Sequence, residues 1–297
     1  MSAYVVEGLD KVLLNCGEPL QSMDWMSPYA WRSNGDLWMM MRGVPQPQGP
    51  DVPTGIIWCG RSKDGLCFDM EDRPAIVPGP DAVDGGGVED PTVHVTREGL
   101  RVFYTGVAAD RDQGSLLVAT GPDIHQLKKQ AVTLEAPRGQ GNIKEATLAQ
   151  APDKSWRLFY EFARDDASRI AVASAPRLGA EWTPLEELIP VREDSWDNWH
   201  LSTGPIVQCP GRDPVMFYNG ATHDARWRIG WVTFDPGFTR ITGRGEEPLI
   251  MPPPATDRAE TDIAFAASCV VQEDGDIHLY YSLEDRMLAR ATVRYYA

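Results

Sequence analysis

The feature that most constrains this fold is a segment that recurs five times along the 297-residue chain. Each copy is a short apolar run ending in aromatic and small residues, and successive copies begin about 55 to 65 residues apart, a period typical of solenoids, propellers and arrays. The copies are residues 37–43, 101–106, 156–161, 215–220 and 277–282.

Each copy has an upstream and a downstream partner segment. Polar turns separate a copy from its upstream partner, which is the pattern of a β-hairpin. A short fourth segment follows four of the downstream partners, for example residues 68–70 and 182–184. The upstream partners are residues 27–31, 90–95, 145–150, 204–209 and 267–272, and the downstream partners are residues 55–61, 114–120, 169–174, 227–232 and 287–292.

Four antiparallel strands repeated five times predict an all-β protein, a five-bladed β-propeller. No segment has a convincing long helical period. A two-sheet sandwich is the structural alternative, but it does not predict five matched units. The fifth unit runs out of chain before a fourth strand, so we expect residues 11–14 near the N-terminus to supply that strand and close the ring. One catalytic domain over residues 1–297 is therefore expected.

The composition argues against several classes of function. A formal net charge of -15 disfavours a nucleic-acid surface and binding to anionic membranes. We find no signal peptide and no apolar stretch long enough to span a membrane, so we expect a cytoplasmic protein. The five scattered cysteines lack a CxxC pair, which favours reduced core thiols over structural zinc. Nothing in the sequence predicts the oligomeric state.

The first strand of every propeller blade lines the central channel, so aligning the five upstream segments locates the candidate site. The aligned positions just inside the channel are Ser27, Asp90, Glu145, Gly204 and Ala267. Two of them, Asp90 and Glu145, are carboxylates from consecutive blades. The loops that enter the strands add four more acids, Asp24, Glu89, Glu260 and Asp262.

Two carboxyl groups that flank a bond can hydrolyse a glycoside, one as acid and the other as base or nucleophile. Clustering would raise the pKa of one group and leave the other ionised, which divides the roles. A calcium site is the alternative use of such acids, but no EF-hand spacing is present, so no metal is expected. No Walker, dinucleotide or Gly-x-Ser-x-Gly segment appears, so we expect no nucleotide cofactor and no Ser-His-Asp hydrolysis.

Aromatic and basic residues near the expected channel mouth suit a sugar site. Trp25, Trp196 and Trp199 fall on entering loops, where a core role is less automatic, and His200 follows Trp199. The bases are Lys144, which immediately precedes Glu145, and Arg42 and Arg228 at strand ends. The alternative role for each base is a solvated surface charge, and for His200 it is loop packing.

Short motifs also follow one another in an order that resembles glycoside hydrolase family 130, from about residue 25 to residue 290. The motifs are Arg42-Gly43-Val44, residues 60–65, residues 87–91, Lys144-Glu145, Gly204-Pro205, Tyr218-Asn219-Gly220 and Tyr280-Tyr281. The resemblance implies a five-bladed propeller that acts on β-mannosides, as an inverting phosphorylase or as a hydrolase, with Asp90 as the general acid. In a phosphorylase, basic residues would hold phosphate in place of water.

The sequence departs from that family at three positions. Thr92 stands where the family usually has Arg, Asn219 replaces the His of Tyr-His-Gly, and Glu145 replaces an Asp. Losing two basic positions weakens the case for phosphate, and Glu145 suits a base that activates water. We therefore expect an inverting β-mannoside hydrolase acting on a short oligosaccharide. Asp90 would donate the proton and Glu145 or Asp262 would activate water. The residues expected to contact substrate are Asp24, Trp25, Arg42, Glu89, Lys144, Trp199, His200, Asn219, Arg228 and Glu260.

Three alternatives stay open at this point. The first is a phosphorylase of the same fold that uses inorganic phosphate, held by Lys144, Arg42, Arg228 or His200. The second is a propeller glycosidase of the arabinofuranosidase or xylosidase type, with Asp24 as the base. The third is a propeller that binds sugar without catalysis, because fold does not fix function.

Overall fold

The computed structural model describes residues 4–135, 141–253 and 262–296. These ranges contain 24 β-strands and two short 3-10 turns, Leu20–Ser22 and Ala82–Asp84. Within the same ranges, no helix has the length and apolar character needed to cross a membrane.

The strands form five successive units that we number as blades one to five. Two strands precede blade one, β1 (Tyr4–Lys11) and β2 (Leu13–Asn15). Blade one contains β3 (Asp24–Ser33), β4 (Asp36–Val44), β5 (Ile56–Ser62) and β6 (Cys67–Met70). Blade two contains β7 (Gly87–Thr96), β8 (Gly99–Val107), β9 (Gly114–Gly121) and β10 (Lys128–Lys129). Blade three contains β11 (Gly141–Gln150), β12 (Trp156–Arg164), β13 (Ala167–Ala175) and β14 (Thr183–Pro184).

Blade four is less regular than its neighbours, and blade five returns to the regular pattern. The strands of blade four are β15 (His200–Ser202), β16 (Ile206–Val207), β17 (Val215–Met216), β18 (Asn219–Ala221), β19 (Trp227–Ile229), β20 (Val232–Phe234) and β21 (Ile241–Arg244). Blade five contains β22 (Ala264–Val271), β23 (Ile277–Leu283) and β24 (Met287–Tyr295). With these sheets the five-bladed propeller expected from the repeats is confirmed.

The interruption of blade four was not expected from its repeat. Its strands divide into two sheets, ordered β15-β18-β19 and β16-β17-β20-β21. The break in the first strand falls at Gly204 and Pro205, and proline has no N–H for the ladder. A Cβ on Gly204 would come within 1.8 Å of the Phe217 carbonyl oxygen, so the two backbones approach closely there. This close approach bends the blade without separating its halves.

The N-terminus closes the ring, but not with the residues expected. β1 pairs antiparallel with β24 and is the fourth strand of blade five. β2 pairs in parallel with β6, the outer strand of blade one. The chain crosses between the blades at residues 12 and 13, where the Val12 N–H donates to the Leu288 carbonyl and the Leu13 N–H to the Leu66 carbonyl. The expectation that residues 11–14 form the closing strand was therefore wrong in position.

The recurring aromatic pairs build the core between the blades. Successive side chains of a strand point to opposite faces, so adjacent residues of a second strand enter different interfaces. Phe103 packs between blades two and three, whereas Tyr104 packs between blades one and two. Phe159 and Tyr160 divide in the same way, and each of these rings is almost fully buried. The aromatic pairs of blades two to five therefore each connect a blade to both of its neighbours.

Candidate active site

The channel-lining residues predicted by alignment share an unusual backbone. Ser27, Asp90 and Glu145 have φ of 50°, 49° and 51°, which is the left-handed region that side chains other than glycine rarely adopt. Each lies where the pairing of the first and second strands shifts register. Bulges of this kind re-aim side chains and are common beside active sites. Blades one to three therefore present three equivalent, strained positions.

Asp90 is held from two sides and is only 5% exposed. Its Oδ1 accepts a hydrogen bond of 2.8 Å from the Ser27 hydroxyl, and its Oδ2 accepts one of 3.1 Å from the Thr105 hydroxyl. Arg42 Nη1 lies 4.0 Å from Oδ1. Residues of blades one and two thus fix the orientation of this carboxyl group.

Glu89 joins cations from two neighbouring blades. Arg42 Nη2 lies 2.7 Å from one carboxylate oxygen and Lys144 Nζ lies 3.5 Å from the other. Burial acts to raise the pKa of Glu89, but the charges of Arg42 and Lys144 outweigh it, and the pKa is lowered. Arg42 also donates from Nε and Nη2 to the Thr54 carbonyl. Two of the three expected bases, Arg42 and Lys144, therefore lie beside the acids, already paired with Glu89.

Glu145 has the opposite electrostatic setting. Burial raises its pKa well above the usual value, the charges of Asp90 and Glu161 raise it further, and Lys144 and Arg42 oppose them. These groups come from blades one, two and three, so the carboxyl group lies where those blades meet. The Thr203 hydroxyl donates to the main-chain carbonyl of Glu145 and connects the bulge to blade four.

Two acids of this site were missed in the sequence. Asp285 lies in the turn between β23 and β24. Burial raises the pKa of Asp285 and the charge of Arg42 opposes this. The charges of the neighbouring acids raise the pKa further; these acids are Asp90, Glu89 and Asp24. Glu161 follows the aromatic pair of the third repeat copy, where other copies have Thr105 and Asn219, and an acid in place of these neutral residues is the signal that could have identified it. Asp285 follows the Tyr280-Tyr281 motif, whose resemblance to the family rests on the two tyrosines alone.

Asp24 and Asp285 open onto a cavity of about 480 Å³ on this face. Arg42, Gln46 and Thr54 also line it, and the Gln46 amide donates to Asp24 Oδ2 at 2.6 Å. In the part of the chain that the structure describes, no three His, Cys, Asp or Glu side chains form a group suited to a metal ion. The cavity and the bulged carboxyls form the candidate site.

The remaining expected residues lie on the rim of blades four and five. The Trp199 ring is 4.7 Å from that of His223, and the His200 ring is 5.4 Å from that of Trp227. Burial lowers the pKa of His200, helped by the charge of Arg169. This aromatic rim faces the same end of the molecule as the acids.

The last two expected charged residues of blades four and five stand close to one another. Asp262 Oδ2 lies 3.8 Å from Arg226 Nε. Burial and the charge of Arg226 lower the pKa of Arg228, and the charge of Asp262 opposes them. Arg228 Nη1 is 3.4 Å from the Trp196 carbonyl. Glu260 lies outside the described residues. These contacts put Asp262 among arginines on the far side of the mouth from the bulged carboxyls of blades two and three.

Two expected substrate contacts are wrong. Trp25 belongs to β3 rather than to a loop and is buried in the core between blades five and one, where Gly43 opposite leaves room for its ring. Asn219 is fully buried: its amide donates to the carbonyls of Thr203 and Ala266, and its Oδ1 accepts from the Ala266 N–H. Its hydrogen bonds join blades four and five, which leaves it no role at the sugar. Trp196 also packs, stacked on Tyr218.

Replacing Asn219 with Ala is expected to destabilise the fold by about 2 to 3 kcal/mol, because it leaves three buried backbone groups without partners. Urea unfolding would measure the change. Asn15→Ala at an exposed hydrogen bond is the matched control, with an expected change within about 0.5 kcal/mol. Equal stability of wild type and Asn219→Ala would contradict the structural role.

Comparison with known proteins was made at the level of sequence and of structure. No protein-family model and no curated protein sequence matches the chain. A solved structure from glycoside hydrolase family 130, described as containing mannoside phosphorylases and hydrolases of β-1,2-mannosidic linkages in Candida mannan, superimposes with a TM-score of 0.76 at 18% identity, covering 98% of this chain and 95% of that one. The chain has the fold of glycoside hydrolase family 130.

Two further solved structures with this fold come from bacteria and protozoa. The β-1,2-mannobiose phosphorylase of Listeria innocua, in complex with β-1,2-mannobiose, has a TM-score of 0.75 at 17% identity and covers 96% of this chain and 90% of its own. A mannose phosphorylase of Leishmania mexicana, in complex with phosphate, has a TM-score of 0.69 at 12% identity and covers 97% and 88%. The expected likeness to family 130 is confirmed, and these neighbours are carbohydrate-active enzymes.

Proposed function

We propose that the chain is a cytoplasmic glycosidase that hydrolyses β-mannosides of short oligosaccharides with inversion. The observation that carries the proposal is the pair Asp90 and Glu145. Equivalent bulges of consecutive blades present the two side chains around one axis, with different surroundings for each. Two carboxyl groups in different environments are the requirement for acid and base roles in glycoside hydrolysis.

Asp90 is proposed as the proton donor. The Ser27 and Thr105 hydroxyls hold both oxygens of its carboxyl group, which supports a fixed orientation toward the leaving group. Glu145 is proposed as the base because it is close enough to Asp90 for the Asp90 charge to raise its pKa. Asp262 instead lies beside Arg226. Asp285 and Asp24, which line the cavity, would contact sugar hydroxyl groups.

The charge balance of the site supports water over phosphate as the nucleophile. Two cations among the acids, Arg42 and Lys144, both pair with Glu89, and Arg286 lines the cavity beside Asp24 and Asp285. Besides the proposed donor Asp90 and base Glu145, the carboxyl groups of Asp24, Glu161 and Asp285 also lie in this region. A phosphate dianion would enter an excess of negative charge there.

The second candidate is a β-mannoside phosphorylase. Its support is the structural likeness to a mannobiose phosphorylase and to a mannose phosphorylase in complex with phosphate. Arg226 and Arg228, together with His200, would then be the residues available to phosphate on the opposite rim.

The test is product analysis with β-1,2-mannobiose first and then other β-mannosides, with and without phosphate. The hydrolase proposal expects free mannose at a rate independent of phosphate, lost in Glu145→Gln. Mannose 1-phosphate formed only with phosphate would identify the phosphorylase instead. No product from any mannoside would reject both, and ligand binding without turnover would point to a sugar-binding propeller.

A further inference from the structure

Glu161 lies next to Glu145, the proposed base, and the proposed reaction gives Glu161 no role. In the pairing of β11 with β12, Glu161 is the partner of Lys144, the residue before Glu145. The register shifts immediately afterwards, so the bulge carries the Glu145 side chain to the same region. The residue after the aromatic pair is Thr105 in blade two and Asn219 in blade four, so among those blades this carboxyl group is a feature of blade three alone.

The Glu161 carboxylate is held in place by the next strand. The Ser168 hydroxyl donates to Glu161 Oε1 at 2.8 Å, and the Ser168 N–H donates to His200 Nδ1 at 3.2 Å. A continuous set of contacts therefore connects the acid to the aromatic rim at Trp199 and His200. A side chain fixed in this way holds its charge at one place beside Glu145.

The groups facing this pair come from three blades. Burial raises the pKa of Glu161, while the hydroxyls of Ser202 and Ser168 and the charge of Lys144 lower it, and Asp90 raises it. The charges of Asp90 and Glu161 raise the pKa of Glu145, against Lys144 and Arg42. The Ser168 hydrogen bond favours the ionised form of Glu161, whereas the described hydrogen bonds include no hydroxyl that donates to the Glu145 carboxyl group.

We propose that Glu161 is a positioning residue that acts through Glu145: its carboxylate, fixed by Ser168, keeps the proton on Glu145 in the free protein and sets the pH at which Glu145 becomes available as a base. The inference rests on the proposed function, in which Glu145 activates water. The site then gains activity as pH rises through the ionisation of Glu145, because only the ionised form accepts a proton.

The first experiment is the pH dependence of kcat/KM, which reports groups of the free enzyme. Glu161→Gln removes the charge and keeps the shape, and it is expected to move the acidic limb of the profile about one pH unit lower. Glu161→Asp keeps the charge and is expected to hold the limb near that of the wild type. Glu98→Gln, in an exposed turn of blade two, is the matched control and should change nothing. The same limb in wild type and Glu161→Gln would overturn the inference.

A second experiment needs no activity and separates this inference from the proposed function. Thermal midpoints of wild type, Glu145→Gln, Glu161→Gln and the double variant form a double-mutant cycle at pH 5 and at pH 8. If Glu161 holds the proton on Glu145, Glu145→Gln raises the thermal midpoint at pH 8 less in the Glu161→Gln variant than in the wild type. Additive gains would overturn the inference even in an active enzyme. Coupling without turnover of any glycoside would instead reject the proposed function.

Discussion

Replacing Asp90 with Asn is expected to lower kcat for β-1,2-mannobiose by about 10²- to 10⁴-fold, the contribution of a general acid. The amide has the shape of the carboxyl group and can keep its contacts with Ser27 and Thr105. It cannot deliver a proton to the leaving oxygen. KM should therefore change much less than kcat, since the binding surface is preserved.

The leaving group gives a sharper test of Asp90. A nitrophenyl β-mannoside departs as a stable anion and needs little protonation, so Asp90→Asn should retain most of the wild-type rate on it. Asp153→Asn, in an exposed turn of blade three, is the matched control and should keep wild-type rates on both substrates. Equal losses on both substrates would show that Asp90 does not act as the proton donor.

Glu145→Gln is expected to abolish mannoside hydrolysis and, unusually for a catalytic substitution, to stabilise the fold at neutral pH. Burial and neighbouring charges raise the pKa of Glu145 in the folded protein. Below its unfolded pKa the group is protonated in both states and has no effect. As pH rises above that value the unfolded chain releases the proton more readily, so Glu145 destabilises the fold increasingly until its folded pKa is passed.

The stability change can be followed by thermal unfolding between pH 4 and pH 8. Removing the ionisable group should raise Tm at pH 8 by about 2 °C or more, the shift that about 1 kcal/mol produces in a large domain, and leave Tm unchanged at pH 4. Glu273→Gln in an exposed turn of blade five is the control, with no pH-dependent change expected. A gain of the same size at both pH values would not come from the Glu145 ionisation.

The fold was predictable because its signal is repeated. Five apolar copies recur at similar spacing, four of them with an aromatic pair, and the two-residue period of a strand requires each pair to serve two interfaces, as Phe103 and Tyr104 do. A structural feature that occurs once in the chain has no repeated sequence pattern from which to predict it. The crossing of the N-terminal segment from blade five to blade one depends on pairing with Leu288 and Leu66, which are remote in sequence.

The candidate site was predictable in part for the same reason. Aligned first strands identified Asp90 and Glu145, whose shared bulge the structure provides. Trp25 was placed wrongly because β3 begins at Asp24, three residues before the expected segment 27–31, so this aromatic side chain lies in a strand and enters the core. Asn219 was judged from the family position, whereas its three hydrogen bonds to blades four and five depend on tertiary packing. Asp285 lies outside the repeat copies, and Glu161 lies within one copy but has no acidic counterpart in the others.

The pairing that closes the ring also determines the order in which the blades can form during synthesis. β1 leaves the ribosome early, yet its partner β24 is made near the end of the described chain. Blades one to three can form from neighbouring hairpins as they emerge, whereas blade five needs contacts across almost the whole length of the chain, a slow class of pairing. Until then β24 has an open strand edge, and the exposed Leu9 of β1 has no partner strand beside it. Nascent chains are therefore most prone to pair with one another just before the ring shuts.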